Sequence, residues 1–436
     1  MTPEFLGVVA ALLLIFMIAI RIPVAIALFV TGFVGYAGYE GIVRTSVVLS
    51  AIPAEMLRGY SLSVVPLFVF MGAIASRSGL SSGLYDAARA MMGSRSRAGL
   101  ANATIVSCAL FGSICGSSVA TAATMTPIAI PEMRAAGYST RLASAAVAAG
   151  GTIGILIPPS VILVIYALLV EESVPSLFAA AFIPGILLTL FCIVVVKVMV
   201  AFNPSLGGNA AEPLTLSERL RMGAGIWKIG VIFLVSLGGI YLGWFSPTEA
   251  AAVGSALALI IAVFFADFSY QKLFEAMDET IRTTAILFLI FMGALMFSRF
   301  VALSKLPVHI VDIIQSWGLA PWLILTVIVA IYLVLGCFLD TVAMILVTAP
   351  VFLPVVESLG YNAVWFGILI VVVAEMGLIT PPLGMNIFVI RAQMPDIDLI
   401  EIIRGVLPFL FAHLALVIAL VTFPQIANWL PDLLMN

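Results

Sequence analysis

The chain has 436 residues, 63% of them hydrophobic and only 9% charged, with a formal net charge of −3. A soluble domain carries about 25% charged residues, so this composition excludes a water-soluble globule and makes lipid the solvent. There is no basic tract to suit nucleic acid, and Cys108, Cys115, Cys192 and Cys337 sit in apolar runs without metal-ligand spacing.

Charge-free stretches mark the expected spans in chain order. Residues 4–20 read as a retained helix, because neither a basic n-region nor a small-residue cleavage site is present. Spans over 23–39 and 62–76 follow. Residues 80–97 (LSSGLYDAARAMMGSRSR) are polar enough for a connecting helix in the membrane interface. The next apolar stretch, 98–133, is far longer than the roughly 20 residues of one crossing. Gly112, Gly116 and a serine cluster sit in its middle, which predicts two half-helices joined by a tip: a re-entrant hairpin. A broken helix over 142–170, interrupted at Gly150–Pro159, and a span over 177–196 complete the first half.

Residues 201–225 are the one sizeable polar stretch and read as a linker. The second half then predicts spans over 229–245 and 247–266, a connecting helix over 269–282 and a span over 283–298. A hairpin over 321–357 with its tip at Gly336–Thr341, a broken helix over 362–390 and a span over 405–430 follow. Glu249, just after Pro247, is expected to cap its helix.

The two halves match at fixed spacing. Pro127, Pro131, Gly137, Tyr138, Gly154, Pro158 and Pro159 recur 223 positions on as Pro350, Pro354, Gly360, Tyr361, Gly377, Pro381 and Pro382. Earlier parts agree more loosely: Pro23 with Pro247, and Phe70–Ala73 with Phe291–Ala294. The expected organisation is a first repeat over 1–200, the linker, and a second repeat over 226–436.

Basic residues set the expected orientation. Arg77, Arg89, Arg95, Arg97, Arg134 and Arg141 around the first hairpin, and Lys197, Arg219, Arg221 and Lys228 around the linker, put these parts on the cytoplasmic side. Ten full crossings then leave both termini on the outer (periplasmic) side, with the second hairpin opening outward. The repeats are inverted. Arg44, Arg58, Arg299 and Lys305 fall on the outer side and run against the rule.

Paired Gly/Pro-interrupted segments are the sequence pointer to a transporter's binding site. The hairpin tips are GSICGSS (112–118) and GCFLDT (336–341), and the helix breaks are GGTIGILIPPS (150–160) and AEMGLITPPLGMN (374–386). Half-helix C-termini offer carbonyls to a cation, and half-helix N-termini offer N–H groups to an anion. Hydroxyl, carboxylate and amide oxygens suit a hard ion such as Na⁺. Candidate cation ligands are therefore Ser113, Ser117, Ser118 and Thr152 in the first half, and Asp340, Thr341 and Thr380 in the second. Backbone at Gly151, Gly154, Gly336 and Gly377 joins them. Candidate substrate contacts are Ser117, Pro159, Ser160, Pro382 and Asn386. The repeat aligns Ser117 with Asp340 and Thr152 with Glu375, so carboxylates lie in one half only. His309 and His413 read as interfacial or packing residues, and Arg391 as a snorkelling anchor.

The motifs GSICGSSVATAATM (112–125), GGTIGILIPPS (150–160), FSPTEAAAVG (245–254) and GLITPPLGMNIFV (377–389) resemble the large membrane subunit of tripartite ATP-independent periplasmic (TRAP) transporters, the DctM-like family. The resemblance covers essentially the whole chain. It implies an all-α polytopic membrane protein with an inverted-repeat, elevator-type fold, placed in a bacterial or archaeal inner membrane. It further implies sodium-driven import of a small organic acid, with a small four-helix membrane subunit and a periplasmic substrate-binding protein as partners. The small subunit is expected as a separate chain. No organic cofactor and no enzyme activity are expected.

Two rival readings remain. Asp340 and Glu375 suit proton coupling in place of sodium. Ser113, Ser117 and Ser118 suggest the nucleophile of an intramembrane hydrolase, although no histidine lies near them in the sequence.

Overall fold

The computed structural model describes residues 3–92, 96–209, 215–223, 225–266, 268–382 and 384–435. Arg95, the linker residues 210–214, and the side chains of Arg219 and Arg221 lie outside that description. Among the described residues, every regular element is a helix.

The first half runs α1 (Pro3–Ala19), α2 (Val24–Arg58), α3 (Val64–Arg77) and α4 (Leu80–Met92). Next come the hairpin α5 (Gly99–Cys115) and α6 (Ser118–Ala135), the broken pair α7 (Thr140–Ile153) and α8 (Val161–Val170), and α9 (Val174–Phe202). After the linker helix α10 (Leu216–Gly223) the order recurs. The second half has α11 (Ile226–Tyr241), α12 (Pro247–Phe265), α13 (Tyr270–Ser304) and α14 (Leu306–Trp317). Its hairpin is α15 (Pro321–Gly336) and α16 (Thr341–Ser358), its broken pair α17 (Ala363–Leu378) and α18 (Met385–Gln393), and it ends in α19 (Leu399–Thr422) and α20 (Gln425–Met435). Seven described helices are long and apolar enough to cross a membrane, as a multi-pass membrane protein requires.

Starts and stops follow local chemistry. Ser139 Oγ accepts the Leu142 N–H at 3.2 Å, and Asn362 Oδ1 accepts that of Trp365 at 2.7 Å, satisfying donors that open a helix. Ser246 and Glu249 form a reciprocal capping box around Pro247, the role expected of Glu249. Pro158–Pro159 and Pro381–Pro382, the matched pairs at the two breaks, are both cis.

Three expected spans differ in extent from the sequence reading, and α10 and α14 form where it placed no helix. The stretches 269–282 and 283–298 form one helix, α13, because no glycine or proline lies between Tyr270 and Phe291 to stop it. Its polar first turns are held by Arg282 on Asp278 (2.7 Å) and by Arg77 on Glu275 and Glu279. The span at 405–430 divides into α19 and α20, since Pro424 cannot continue a helix. The span at 23–39 runs on as α2 to Arg58 past Gly41, whose φ of 80° leaves helical geometry.

Two groups of helices result. In the first, α2 lies along α13, and α3 packs on α12 and α13. A Cβ on Gly32 would stand 2.6 Å from Phe297 N, and one on Gly293 2.7 Å from Ala25 O. Glycines thus set this crossing, as in membrane helix pairs generally. In the second, α7 packs on α5, α6 and α19, while α17 packs on α15, α16, α19 and α9. Asp396, beyond α18, accepts from Arg134 at the end of α6 (2.6 Å), and that guanidinium holds its carboxyl below the usual aspartate range. The chain after α9 is stitched to the base of the first hairpin. Ser139 N donates to Leu206 O (3.2 Å), Gly208 N to Arg97 O (3.0 Å) and Asn209 N to Ala136 O (2.9 Å). Beyond 214, α10 lies against α4.

Candidate functional site

Each hairpin tip rests on the broken helix of its own half through paired glycines. A Cβ on Gly154 would stand 2.3 Å from Gly112 Cα, and one on Gly377 2.6 Å from Gly336 Cα. These four glycines therefore bring backbone against backbone at both tip–break contacts. Gly116 turns the first tip with a left-handed φ of 64°, a conformation glycine adopts without steric cost.

Past each tip a polar residue caps the second hairpin arm. Ser117 accepts the Ala120 N–H (3.3 Å) and Asp340 Oδ2 accepts that of Ala343 (3.3 Å). Repeat-matched, these two side chains line one cavity of about 240 Å³. Val161 and Ile162, following the α8 cap Ser160, line its side, and Glu279 and Thr283 of α13 reach in from the other helix group. Arg77, ending α3, donates to Glu279 through Nε (3.0 Å) and Nη2 (2.8 Å). The cavity thus lies between the hairpin-bearing helices and the α3–α13 pair. The helix starts of α6, α8 and α16 converge near it, with Asp340 and Glu279 as its carboxylates.

The remaining candidates form a deeper layer. Thr341 Oγ1 donates to Glu375 Oε1 (2.8 Å). Asn386 Nδ2 donates to Ala148 O (3.2 Å), while its buried Oδ1 has no hydrogen-bond partner. A Cβ on Gly151 would meet Ser118 O at 3.1 Å and Asn386 Nδ2 at 3.3 Å, so Ser118, Gly151 and Asn386 are neighbours. Ser113 turns back to Leu110 O (2.8 Å) and Thr380 to Met376 O (2.7 Å), each within its own helix end. Pro159 is buried and Pro382 exposed; neither lines the cavity. Arg391 donates to the carbonyls of Pro395 and Ile397, away from the cavity.

Sequence reading misses two contributions. Glu279 falls in the expected interfacial connector and Thr283 at the first position of the span after it, with no role at the site; their clue is the Phe291–Ala294 match, which makes α13 the repeat partner of α3. His413 also has a specific contact beyond packing. Fully buried in α19, it places Nε2 2.9 Å from Thr152 Oγ1 and Nδ1 3.0 Å from Phe409 O. With the ring proton on Nδ1, donated to Phe409, Nε2 is an acceptor, and it shares the single Thr152 hydroxyl proton with Ala149 O, 2.7 Å away. No spacing in the sequence links positions 152 and 413. His413→Phe should lower stability by about 1 kcal/mol through removal of this bond, measured as a lower thermal unfolding midpoint in detergent. An unchanged midpoint would leave the histidine as filler.

The chain is similar in sequence and in fold to known proteins. Residues 11–426 match the family described as tripartite ATP-independent periplasmic transporter, DctM component. The chain is 35% identical over 380 residues to the C4-dicarboxylate TRAP transporter large permease protein DctM of Pseudomonas aeruginosa, covering 87% of this chain and 88% of that protein. It is 33% identical over 427 residues to the ectoine/5-hydroxyectoine TRAP transporter large permease protein UehC of Ruegeria pomeroyi, covering 97% and 98%. Sialic acid TRAP transporter large permease protein SiaM of Vibrio cholerae is 33% identical over 388 residues, 88% of this chain and 89% of that one. In fold it is similar to the YdaH transporter of Alcanivorax borkumensis, with a TM-score of 0.60 at 15% identity over 98% of this chain and 100% of that one. It is likewise similar to MtrF of Neisseria gonorrhoeae, with a TM-score of 0.58 at 15% identity over 96% and 95%. Two re-entrant tips, two glycine-seated breaks and an unbroken family match over residues 11–426 lead to one assignment: the chain belongs to the DctM family, the large permease component of TRAP transporters.

Proposed function

We propose that this permease imports a small organic acid with Na⁺, taking it from a periplasmic binding protein and working beside a small membrane subunit in the inner membrane. The observation that carries the reading is the cavity where Ser117 and Asp340, repeat-matched residues of opposite halves, face a common space. Each tip supplies oxygen donors and a helix start, the two features an alkali cation and an organic anion need. The names of relatives, C4-dicarboxylate for one and sialic acid for another, support an organic acid as cargo. In the mechanism, both hairpins and both broken helices move as a block along α2, α3, α12 and α13, carrying the cavity from the outer to the inner side. The cavity's position between the two helix groups supports this elevator motion.

The energetics suffice. Each Na⁺ entering down about 100 mV and a tenfold gradient releases about 3.7 kcal/mol. Two ions offset the roughly 2.3 kcal/mol cost of bringing in a monoanion and leave about 5 kcal/mol, enough for three to four powers of ten of accumulation.

Proteoliposomes holding the permease, its small subunit and the cognate binding protein should take up labelled substrate only with an inward Na⁺ gradient. Glu375 gives proton coupling a specific observation of its own, since it is fully buried with one carboxyl oxygen unpartnered. Uptake driven by a pH gradient in sodium-free buffer would replace the sodium reading with that one.

A further inference from the structure

The two helix groups come close together beside the cavity, on one face of α3. A Cβ on the buried Gly72 would stand 2.8 Å from Cys115 O and 2.9 Å from Cys115 Cα, where the first arm of the first hairpin ends. One turn further along α3, Ser76 Oγ lies 2.9 Å from Thr124 Oγ1 on the second arm, α6. Residues four apart share a helix face, so Gly72 and Ser76 together seat both arms of the first hairpin. Val69 and Ala73 of the same helix line the cavity.

This contact crosses between the groups. Arg77 reaches Glu275 and Glu279 of α13, Ser255 of α12 reaches Leu67 O of α3, and Arg299 of α13 reaches Glu55 of α2, and all of these bonds stay inside the first group. The duplication is unequal here. Gly72 corresponds to Gly293, and Ser76 to Phe297, 221 positions on. Both counterparts are engaged with α2, in their own group. A Cβ on Gly293 would lie 2.7 Å from Ala25 O, and one on Gly32 2.6 Å from Phe297 N.

The seat also fixes a register. Glycine lets α3 touch the Cys115 backbone, whereas one turn to either side stand Phe68 and Ser76, which carry side chains. A slide of one turn, about 5.4 Å, therefore parts backbone from backbone and Ser76 from Thr124 together. We propose that Gly72 and Ser76 are positioning residues that register the first hairpin at one end of its travel, in a contact made at this stop and broken away from it. The inference rests on the elevator reading of the two helix groups. Interactions present at one stop alone set how the protein divides between its stops.

The experiment introduces Ser76→Cys and Thr124→Cys together in the permease, reconstituted with its small subunit and cognate binding protein. Mild oxidation should join the pair, read after denaturation as two fewer thiols open to a maleimide. The transport probe is the solute that co-purifies with the binding protein, followed by mass spectrometry. The joined protein should lose uptake of that solute, and reductant should restore it. Each single variant, oxidised alike, should keep uptake. Gly72→Ala added to the pair should slow joining about tenfold or more, because its methyl group overpacks the seated register. Gly230→Ala, whose new carbon meets nothing within 4 Å, should leave the joining rate unchanged. A glycine that only stabilises the fold would lower the unfolding midpoint and leave the joining rate alone, and that result overturns the proposal. Should Gly72→Ala not fold, the cysteine pair decides by itself. A pair that does not join under oxidation overturns the proposal and leaves the elevator reading standing. A joined pair that still transports overturns the elevator reading and this inference with it.

Discussion

Gly154→Ala should leave little folded, transport-competent protein. The added methyl carbon would lie 2.3 Å from Gly112 Cα and 2.8 Å from its carbonyl carbon. Backbone cannot swing aside as the end of a side chain can. The first hairpin arm and the broken helix must part by about 1 Å, an overpacking strain of about 1–3 kcal/mol or more. Close backbone approach is the main source of helix association in lipid, so burial elsewhere does not compensate for prising these two backbones apart. Gly377→Ala should behave alike, with its methyl 2.6 Å from Gly336 Cα. Gly230→Ala on α11, with nothing within 4 Å of the new carbon, is the control. It should be neutral or gain up to about 1 kcal/mol from helix propensity. Thermal unfolding in detergent with size-exclusion readout distinguishes these cases. A Gly154→Ala protein that melts like the control would show that arm and break do not touch.

Asp340→Asn should keep the fold and lose transport. Asp340 does two separable things: its Oδ2 caps α16 through the Ala343 N–H, and its charge faces the cavity. Asparagine caps as well as aspartate does, whereas alanine costs about 1 kcal/mol at such a position. The amide carries no charge for a cation. Losing a charged ligand is worth about 1.5–3 kcal/mol, so half-saturating Na⁺ should rise about ten- to a hundredfold in the asparagine variant. The alanine variant should show the same transport defect plus a lower melting temperature. Wild-type uptake by Asp340→Asn, alongside a destabilised alanine variant, would reduce the residue to a helix cap.

What can be read from the sequence, and what cannot, divides along physical lines. The hairpins, the breaks and their pairing depend on glycine, proline and capping residues, which act locally and keep their spacing through duplication. The tips at Gly116 and Asp340 and the glycine seats at Gly154 and Gly377 are therefore legible. Helix lengths are less so. Charged residues in the first turns of α13 suggest a surface connector, but Arg77 reaches Glu275 and Glu279 from a helix about 200 residues earlier, so those charges are matched without ending the helix. For the same reason the roles of Glu279 and Thr283 and the His413–Thr152 contact are invisible: they are meetings of distant segments with no period or motif to announce them. Of the candidate ligands, Ser117 and Asp340 share the cavity, whereas Ser113 and Thr380 are occupied with carbonyls of their own helices.

The stitching of residues 206–209 onto the hairpin base sets a mechanical limit. Asn209 is held by Ala136, and Thr215 begins the approach to α10 on α4. Five residues, and so six Cα–Cα steps, separate those two points, which therefore stay within about 20 Å of each other. The hairpin base and the start of α10 cannot be drawn further apart than that unless the stitches at Leu206, Gly208 and Asn209 first come undone. Covalent length thus caps that separation, and shortening or lengthening the connector would reset the cap without touching a single candidate ligand.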